Sequence, residues 1–346
     1  MYTVAYDVSS EISTRVMDTM PHSCGHVRRT GAMMDRISVA SMRERFDMHG
    51  VYTGAMPARF SVLFCGTSLF AVPSLECLVA DPDFDILGVI TQPDRPTGRK
   101  QVLTPPPVKM RAIEHGLNIF QPEKINTDPV ISTLPRPDFL VVVSFGQILS
   151  QAILDMPSIM PVNVHASLLP RWRGASPIQQ AILTGDHETG VTVQKMVKEL
   201  DAGPILSQRK TPVAPTETAV SLHDRLAALG GMLLVETLKK PLNPVDQDES
   251  DITVCRKLTR EDGQADPNTD TAQEIDRKWR ALMPWPGVTM TVNGEQLKIL
   301  ETSLENTPEA YPLTCRGNST LFLVKVQSPG GKPVSGMEWS RGRREI

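Results

Sequence analysis

Several features that mark other protein classes are scarce or missing in this 346-residue sequence. Its five cysteines are scattered, odd in number and free of any CxxC pair, which excludes the usual spacing of a zinc site or a disulfide framework. No run of about 18 apolar residues occurs, so nothing has the length of a transmembrane helix. We therefore expect reduced thiols, no metal and no membrane association.

The glycine-rich signatures of phosphate-binding proteins are incomplete. Gly66 ends a predicted first strand, where nucleotide-binding α/β proteins place G-x-G-x-x-G, but the other glycines are absent. Without them the backbone cannot approach a pyrophosphate closely, and the P-loop pattern is missing as well. The sequence therefore argues against a dinucleotide-binding enzyme.

What the sequence does contain is an ordinary balance of residues. Hydrophobic residues make up 40% of the chain, charged residues 22%, and the formal net charge is −3. This is enough apolar material for a sizeable core, and the length predicts two domains. The overall charge gives no sign of nucleic acid binding, although acids elsewhere can offset a local basic surface.

Residues 1–57 differ from the rest of the chain. They contain arginine but no lysine, many methionines and serines, and no periodic apolar strand. Transit peptides share the arginine and serine but are poor in acidic residues, which recur here. We predict an N-terminal extension that is disordered or outside the mature fold, with Met56 as a sensible start, in a cytoplasmic protein. The alternative is a transit peptide and a mitochondrial matrix protein.

From Arg59 onward, short β-branched runs alternate with helical candidates. RFSVLFCG, FDILGVIT, FLVVVSF and PVNVHAS are apolar on both faces, as parallel strands covered by helices are. Three segments between them are predicted helices: FAVPSLECLVA, PPVKMRAIEHG and QILSQAILDM. Two further extended segments follow, GVTVQKM and PILSQRKTPV, and then a long helix is predicted over residues 216–240. The pattern predicts a doubly wound α/β domain with a mostly parallel, Rossmann-like sheet over residues 58–240.

The C-terminal part has a different pattern. Residues 241–252 are polar and contain proline, which is typical of a linker. A short helix, TAQEIDRKWRALM, then precedes the strands GVTMTVNG, EQLKILETS, YPLTCRG and STLFLVKVQS. The Asn-Gly of VNGE indicates a two-residue hairpin. Residues 253–346 are thus predicted to form a small antiparallel, OB-like β-barrel domain.

A polar pair interrupts the predicted strand PVNVHAS. Asn163 and His165 share one face of the strand, near the carboxyl edge of a parallel sheet, where open α/β folds bind ligands. Asp201, in KELDAGPIL, adds a carboxylate. Together these groups can orient a water, hold an oxyanion and move one proton, which predicts a hydrolase or a group transferase. A satisfied core histidine beside a turn-forming asparagine is the structural alternative.

Longer motifs around these residues resemble the folate-dependent formyltransferase family. NVHASLLPRWRGASPI, with LDAGPIL after it, resembles the Asn–His–Asp signature of that family. Further segments that resemble the family are GVITQPDRPTGRK, LTPPPVK, VVVSFGQIL and MPWPG. The resemblance covers about residues 59–346. It is strongest to the members that transfer the formyl group of 10-formyltetrahydrofolate to methionyl-initiator-tRNA for the start of translation. The implied protein is therefore a one-carbon transferase, expected to act as a monomer.

The resemblance implies a role for each matching residue. Asn163 and His165 would bind the formyl oxygen and stabilise the tetrahedral intermediate. Asp201 would hold His165 or a water and help to move the proton lost by the attacking amine. One wall of the folate pocket would be formed by Ser167, Leu168, Leu169 and Pro170. The pterin would be faced by Gly146, Gln147, Ile148 and Leu149.

The segment TQPDRPTGRKQ carries the implied contact with RNA. Taken alone, two prolines, a glycine and three basic residues are typical of a solvated surface loop. In the family the matching loop enters the tRNA acceptor stem, with Arg99 at the position of its key arginine, and Arg95 and Lys100 would contact phosphates. Residues 310–346 hold six Arg or Lys against two Glu, so the C-terminal domain is expected to bind tRNA as well.

Other activities share the Asn–His–Asp set. Glycinamide ribonucleotide formyltransferases need a glycine-rich phosphate turn, which CGTSLF lacks. Sugar-nucleotide formyltransferases and formyltetrahydrofolate hydrolases remain alternatives, and the PDRPTGRK loop and the basic C-terminus argue against the sugar-nucleotide type. A non-catalytic RNA- or folate-binding protein would be favoured if one of the three polar residues were lost, and all three are present.

Overall fold

The structure is a computed structural model that describes residues 59–98 and 100–341. The predicted N-terminal extension, Arg99 and residues 342–346 lie outside this part of the chain. The described chain divides into two compact units. The first unit holds residues 59–170, 191–209 and 226–250, and the second holds residues 171–190, 210–225 and 251–341.

Strands and helices alternate through the first half of the chain, and strands dominate the C-terminal part. The strands are β1 (Phe60–Gly66), β2 (Phe84–Ile90), β3 (Arg95–Thr97), β4 (Val102–Thr104), β5 (Ile119–Phe120), β6 (Phe139–Val143), β7 (Met160–His165), β8 (Arg173–Gly174), β9 (Glu188–Lys195), β10 (Ile205–Pro212), β11 (Val254–Cys255), β12 (Gln264–Ala265), β13 (Val288–Val292), β14 (Glu295–Ser303), β15 (Tyr311–Cys315), β16 (Ser319–Gln327) and β17 (Val334–Ser335). The helices are α1 (Val72–Ala80), α2 (Pro107–Glu114), α3 (Gln151–Leu154), α4 (Pro177–Thr184), α5 (Ala219–Leu238), α6 (Ala272–Leu282) and α7 (Gly336–Arg341).

The main sheet has seven strands in the order β10-β9-β7-β6-β1-β2-β5. Strands β7, β6, β1, β2 and β5 run parallel, which confirms the predicted doubly wound, mostly parallel sheet. Strand β9 is antiparallel to β7, a reversal that the apolar runs do not encode. All five residues of β6, FLVVV, are buried, as expected for a central strand covered on both faces.

Most predicted helices occur where expected, with two differences. The predicted helix QILSQAILDM is reduced to the four residues of α3, because Ser150 has an extended backbone and the helix begins only after it. Helix α4 was not predicted, although its boundaries follow standard signals. Pro177 stands at its first turn, and Gly185 ends it in the left-handed conformation.

A pair of glycines in α5 allows close helix packing. A Cβ atom on Gly230 would lie 2.9 Å from Val164 Cγ1 on β7, and one on Gly231 would lie 2.7 Å from the Pro73 carbonyl oxygen in α1. Glycine inside a helix costs about 1 kcal/mol relative to alanine. The two glycines therefore lower the helix propensity of α5 but allow it to pack tightly against α1 and against β7, the strand that carries His165.

The second unit contains a six-stranded, mostly antiparallel sheet. Its order is β12-β13-β14-β16-β15, with β17 paired to β16, and α6 contacts β14 and β16. The predicted Asn-Gly hairpin joins β13 to β14, with positive φ at both Asn293 and Gly294. The antiparallel C-terminal strands are thus confirmed.

The start of α6 provides a pH-dependent stabilising contact. The backbone N–H and hydroxyl of Thr271, together with the Arg316 guanidinium, lower the pKa of Glu274 from 4.5 to about 2. A depressed pKa stabilises the fold above the ordinary value and loses this effect as pH falls toward 2. We expect Glu274→Gln to lower the free energy of unfolding by about 1 kcal/mol at pH 7, since the group is partly exposed.

Chemical denaturation of both proteins between pH 7 and pH 3 checks this expectation. The difference between wild type and Glu274→Gln should shrink as pH falls below 4.5. Glu301→Gln, at an exposed position of β14, serves as the control. A difference that stays constant over this range would show that the cap does not depend on the carboxylate charge.

Candidate active site

Two chain segments leave adjacent strand ends at the carboxyl edge of the main sheet. Val142 near the end of β6 pairs with Asn163 of β7, and Val143 pairs with Gly66 at the end of β1. The segments after β6 and β7 therefore start side by side. This is the edge where open α/β sheets bind their ligands.

The three predicted catalytic residues lie at this edge. His165 is the last residue of β7 and is 7% exposed, and Asn163 stands two residues earlier on the same face. His165 Nδ1 lies 3.6 Å from Asp201 Oδ1, although 36 residues separate the two in sequence. The fold thus brings an imidazole and a carboxylate together next to an amide.

Strand β9 adds polar residues that sequence reasoning missed. Gln194 lies opposite Asn163, and Thr192 lies opposite His165, so the four side chains share one face of the sheet. Gln194 is 2% exposed and donates a hydrogen bond from Nε2 to Asp201 Oδ1 at 3.2 Å. Within the described residues its Oε1 has no hydrogen-bond partner. The alternation of valine with Thr192 and Gln194 in GVTVQKM was the available signal.

Asp201 occupies an unusual backbone conformation. Its φ of +52° lies in the left-handed region, which costs a non-glycine residue roughly 1–2 kcal/mol. Such strain persists only where surrounding contacts fix it, and it is common at functional sites.

The segment after β7 is held by hydrogen bonds from the neighbouring strands. Thr192 Oγ1 donates to the Ser167 carbonyl at 2.6 Å and accepts from Leu169 N at 3.1 Å, while Gln208 Nε2 donates to the Leu169 carbonyl at 2.8 Å. The side chains of Ser167 and Leu169 are buried. Leu168 and Pro170 are half-buried, so they are the side chains of this segment with surface left for a ligand.

The four residues predicted to face a pterin have different surroundings. Leu149 is 5% exposed and belongs to the hydrophobic core of the sheet. Gln147 uses its side chain to hold a neighbouring loop, accepting from Ile125 N at 2.8 Å and donating to the Pro122 carbonyl at 3.2 Å. Gly146 is exposed, and Ile148 is 63% exposed. The accessible part of this segment is therefore Gly146 and Ile148.

The predicted RNA-contacting segment forms a hairpin of β3 and β4 rather than an irregular loop. Thr97 pairs with Val102 next to the turn, which contains the exposed Lys100. Val102 and Leu103 are 59% and 64% exposed, so the hairpin presents apolar as well as basic side chains. Arg95 forms an ion pair with Glu123 at 2.6 Å. Arg99 lies outside the described residues.

The base of the hairpin is anchored to the first unit through Asp94. Gln121 Nε2 donates to Asp94 Oδ1 at 2.8 Å, and Lys109 Nζ contacts both carboxylate oxygens at 2.7 and 2.8 Å. These hydrogen bonds from Gln121 and Lys109 hold the pKa of Asp94 below its ordinary range. The hairpin therefore starts from a fixed point near the end of β2.

Two residues of the PRWRG sequence, Arg171 and Trp172, form a compact cluster with Asp186. Asp186 accepts two hydrogen bonds from Arg171, at 2.5 and 3.0 Å, and one from Trp172 Nε1 at 2.8 Å. The Arg171 guanidinium lies 4.4 Å from the centre of the Trp172 ring, a cation–π contact. Burial raises the pKa of Asp186, but the bonds from Arg171, Trp172 and Thr184 outweigh it and hold the pKa below its ordinary range.

The second unit also has a cleft of about 400 Å³. Its lining includes two basic side chains, Arg260 and Lys298, and one carboxylate, Glu261. Trp285, which is 38% exposed, contributes an aromatic surface. Aromatic and basic side chains together are typical of surfaces that contact nucleic acids.

The described residues contain neither a metal-binding cluster nor a membrane-spanning helix. No group of three or more His, Cys, Asp or Glu side chains is placed to hold a metal ion. In the same part of the chain, no helix is long and apolar enough to cross a membrane.

Comparisons with known proteins identify the relatives of the chain. Residues 58–238 match the formyl transferase family, and residues 257–344 match the formyl transferase C-terminal domain. The chain is 41% identical to the methionyl-tRNA formyltransferase of Halorhodospira halophila, over 82% of this chain and 97% of that protein. It is 39% identical to the Bacillus subtilis methionyl-tRNA formyltransferase, over 81% of this chain and 94% of that protein.

Solved structures with much lower identity share the fold. A sugar 3N-formyltransferase, WlaRD, solved with dTDP and 5-N-formyl-THF, matches 81% of this chain and all of its own with a TM-score of 0.57 at 18% identity. HypX from Aquifex aeolicus, solved with tetrahydrofolic acid, matches 82% of this chain but 47% of its own, with a TM-score of 0.56 at 15% identity. The family match over residues 58–238 and the 39–41% identity to the bacterial enzymes over most of the chain show that it belongs to the methionyl-tRNA formyltransferase family.

Proposed function

We propose that this protein transfers the formyl group of 10-formyltetrahydrofolate to the α-amino group of methionyl-initiator-tRNA. The observation that carries the proposal is the His165–Asp201 pair, 3.6 Å apart, beside Asn163 at the carboxyl edge of the sheet. The chain keeps all three polar residues of the family signature in one place. A non-catalytic binding protein would have no need of this arrangement.

The residues present suit acyl transfer to an amine. A bond forms between the amine nitrogen and the formyl carbon, the bond from that carbon to the folate N10 breaks, and the proton lost by the amine replaces the formyl group on N10. Asn163 and His165 can donate hydrogen bonds to the formyl oxygen as negative charge develops on it. Asp201 orients His165 and helps to move the proton. A free α-amine, with a pKa of about 7.7–8.0, is a competent nucleophile near neutral pH.

The folate binds, in this proposal, between the segments that follow β6 and β7. The half-buried Leu168 and Pro170 form one wall, and Gly146 and Ile148 expose the opposite surface. Ser167 and Leu169 shape the first wall through their backbone, which Thr192 holds. Gln147 and Leu149 contribute by fixing their segment to the loop and core behind it.

The tRNA is recognised, in this proposal, by the β3–β4 hairpin and by the C-terminal domain. Arg95, Arg99 and Lys100 supply positive charge for phosphates, and such contacts position the RNA without reading its sequence. The cleft lined by Trp285, Arg260 and Lys298 supports an RNA-contacting role for the C-terminal domain.

The remaining assignments complete the proposal. We assign residues 58–240 to catalysis, 241–252 to a connection and 253–346 to tRNA binding, and the predicted N-terminal extension lies outside the described residues. The protein acts as a cytoplasmic monomer without membrane association or metal, or in the mitochondrial matrix if residues 1–57 are a transit peptide.

The test uses purified protein, 10-formyltetrahydrofolate and initiator tRNA charged with methionine. Formyl-methionine should accumulate on the tRNA. Arg99→Ala and Lys100→Ala should raise KM for the tRNA and reduce its dependence on salt, because fewer phosphates are neutralised. Arg59→Ala is the matched control, since Arg59 precedes β1 and so lies at the opposite, amino edge of the sheet.

Two outcomes would contradict the proposal. Turnover of the folate without formylated tRNA would indicate a hydrolase. Formylation of an amino-sugar nucleotide in place of the tRNA would indicate the sugar-nucleotide activity.

A further inference from the structure

The segment predicted as a linker packs against the loop that carries Asp201. Gln247 is 9% exposed and donates hydrogen bonds from Nε2 to the carbonyl oxygens of Asp201, at 2.8 Å, and Gly203, at 2.7 Å. A single side-chain amide therefore binds the backbone on both sides of Ala202. The polar composition of residues 241–252 does not indicate this contact.

A second contact fixes the same segment two residues earlier. Val245 and Ile205 exchange backbone hydrogen bonds of 2.7 and 2.9 Å, as residues of paired antiparallel strands do. Leu242, at the start of the segment, is 4% exposed. The segment is thus fixed at Leu242 and Val245, so Gln247 approaches the loop from a defined position.

The loop itself depends on such support. Asp201 is in the left-handed conformation, and Gly203 packs so tightly against β9 that a Cβ atom there would lie 1.7 Å from the Lys195 carbonyl oxygen. Lys195 N donates to the Pro204 carbonyl at 2.9 Å on the same side. The loop is therefore held by β9 on one side and by Gln247 on the other.

The position of the Asp201 carboxylate follows directly from this backbone. Aspartate has a short side chain, so a rotation of its peptide planes moves the carboxylate by a similar distance. The carboxylate lies 3.6 Å from His165 and 3.2 Å from Gln194. Small shifts of the loop would lengthen both distances, and misplacement by about 1 Å can cost 100-fold in rate.

We propose that Gln247 is a positioning residue for formyl transfer, which fixes the backbone of Asp201 so that its carboxylate faces His165. This inference rests on the proposed function. Gln247 lies beyond residue 240, in the segment that leads to the C-terminal domain. The active site is therefore completed by a part of the chain that sequence patterns assign to a connection.

The test compares Gln247→Met and Gln247→Glu with the wild type in the full chain. Methionine keeps the length of the side chain but cannot donate, and an ionised glutamate cannot donate and repels the two carbonyl oxygens. Both variants should lower kcat about 10- to 100-fold. KM for 10-formyltetrahydrofolate and for the tRNA should change little, because a loss confined to kcat marks an interaction needed in the transition state.

A double-variant cycle separates positioning from general structural support. Gln247 acts through the Asp201 carboxylate, so Gln247→Met should cause no further loss of kcat in an Asp201→Asn background. Leu78→Ala, in α1 and outside the segment, is the control. It removes a buried side chain and should lower Tm, yet it should keep the wild-type kcat well below its Tm.

The outcomes distinguish this inference from the proposed function. A wild-type protein that forms no formyl-methionyl-tRNA overturns both. If the wild type is active, then a wild-type kcat in Gln247→Met overturns the positioning role alone. An equal loss in the wild-type and Asp201→Asn backgrounds overturns it as well, because the effect would then not pass through Asp201.

Discussion

Replacing His165 with alanine is expected to reduce kcat for formyl transfer by about 100- to 1000-fold. The imidazole stands at the strand end where the formyl oxygen is proposed to bind, and its Nδ1 lies 3.6 Å from Asp201 Oδ1. Its loss removes a hydrogen-bond donor that strengthens as negative charge develops, so the effect should fall on kcat more than on KM. Single-turnover formylation of charged tRNA with saturating folate measures this change directly.

The control for this experiment is His187→Ala. His187 is exposed, and the contact recorded for it, acceptance of a hydrogen bond from Val213 N by its backbone carbonyl, survives the substitution. The His187 variant should retain the wild-type rate. Near-normal kcat in His165→Ala would remove the imidazole from the mechanism and leave Asn163 as the principal donor.

Replacing Asp186 with alanine is expected to lower the free energy of unfolding by about 2–4 kcal/mol. The substitution leaves the Arg171 guanidinium and Trp172 Nε1 without the carboxylate that pairs with both. The loss should lie near the lower end of this range, because the Arg171 side chain is 46% exposed and its charge stays partly hydrated. Chemical denaturation followed by far-UV circular dichroism provides the measurement.

Two milder variants should give smaller losses in the free energy of unfolding. Trp172→Phe removes a single donor and should cost about 1 kcal/mol, and Asp186→Asn keeps an acceptor but loses the charge, so it should lie between the two. An Asp186→Ala protein as stable as wild type would show that the PRWRG cluster is held by other contacts.

The fold was predictable where the sequence pattern is local. β-branched runs such as FLVVV predicted buried parallel strands, and the Asn-Gly pair predicted the hairpin between β13 and β14. The antiparallel direction of β9 was not predictable, because direction depends on the path of the connection and not on the residues of the strand. Helix α4 was not predicted, because it has only eight residues and follows directly on the turn-forming sequence PRWRG.

The site was predictable only in part. Asn163 and His165 stand out as polar residues in an apolar strand, and Asp201 follows from the family motif. Gln194 and Gln247 are glutamines in a strand and in a polar segment, where that residue is ordinary. Their contacts with Asp201 arise from strand pairing and chain packing, which a single sequence does not display.

The pairing of β7 with β9 restricts how this protein can change in length. Asn163 and His165 face Gln194 and Thr192 because both strands keep their register. Inserting or deleting one residue within either strand would turn its side chains to the opposite face of the sheet. Single positions can accept substitutions, but the number of residues within each of these strands cannot change without loss of the site. Divergence by insertion is therefore directed to exposed connections such as the turn between β3 and β4.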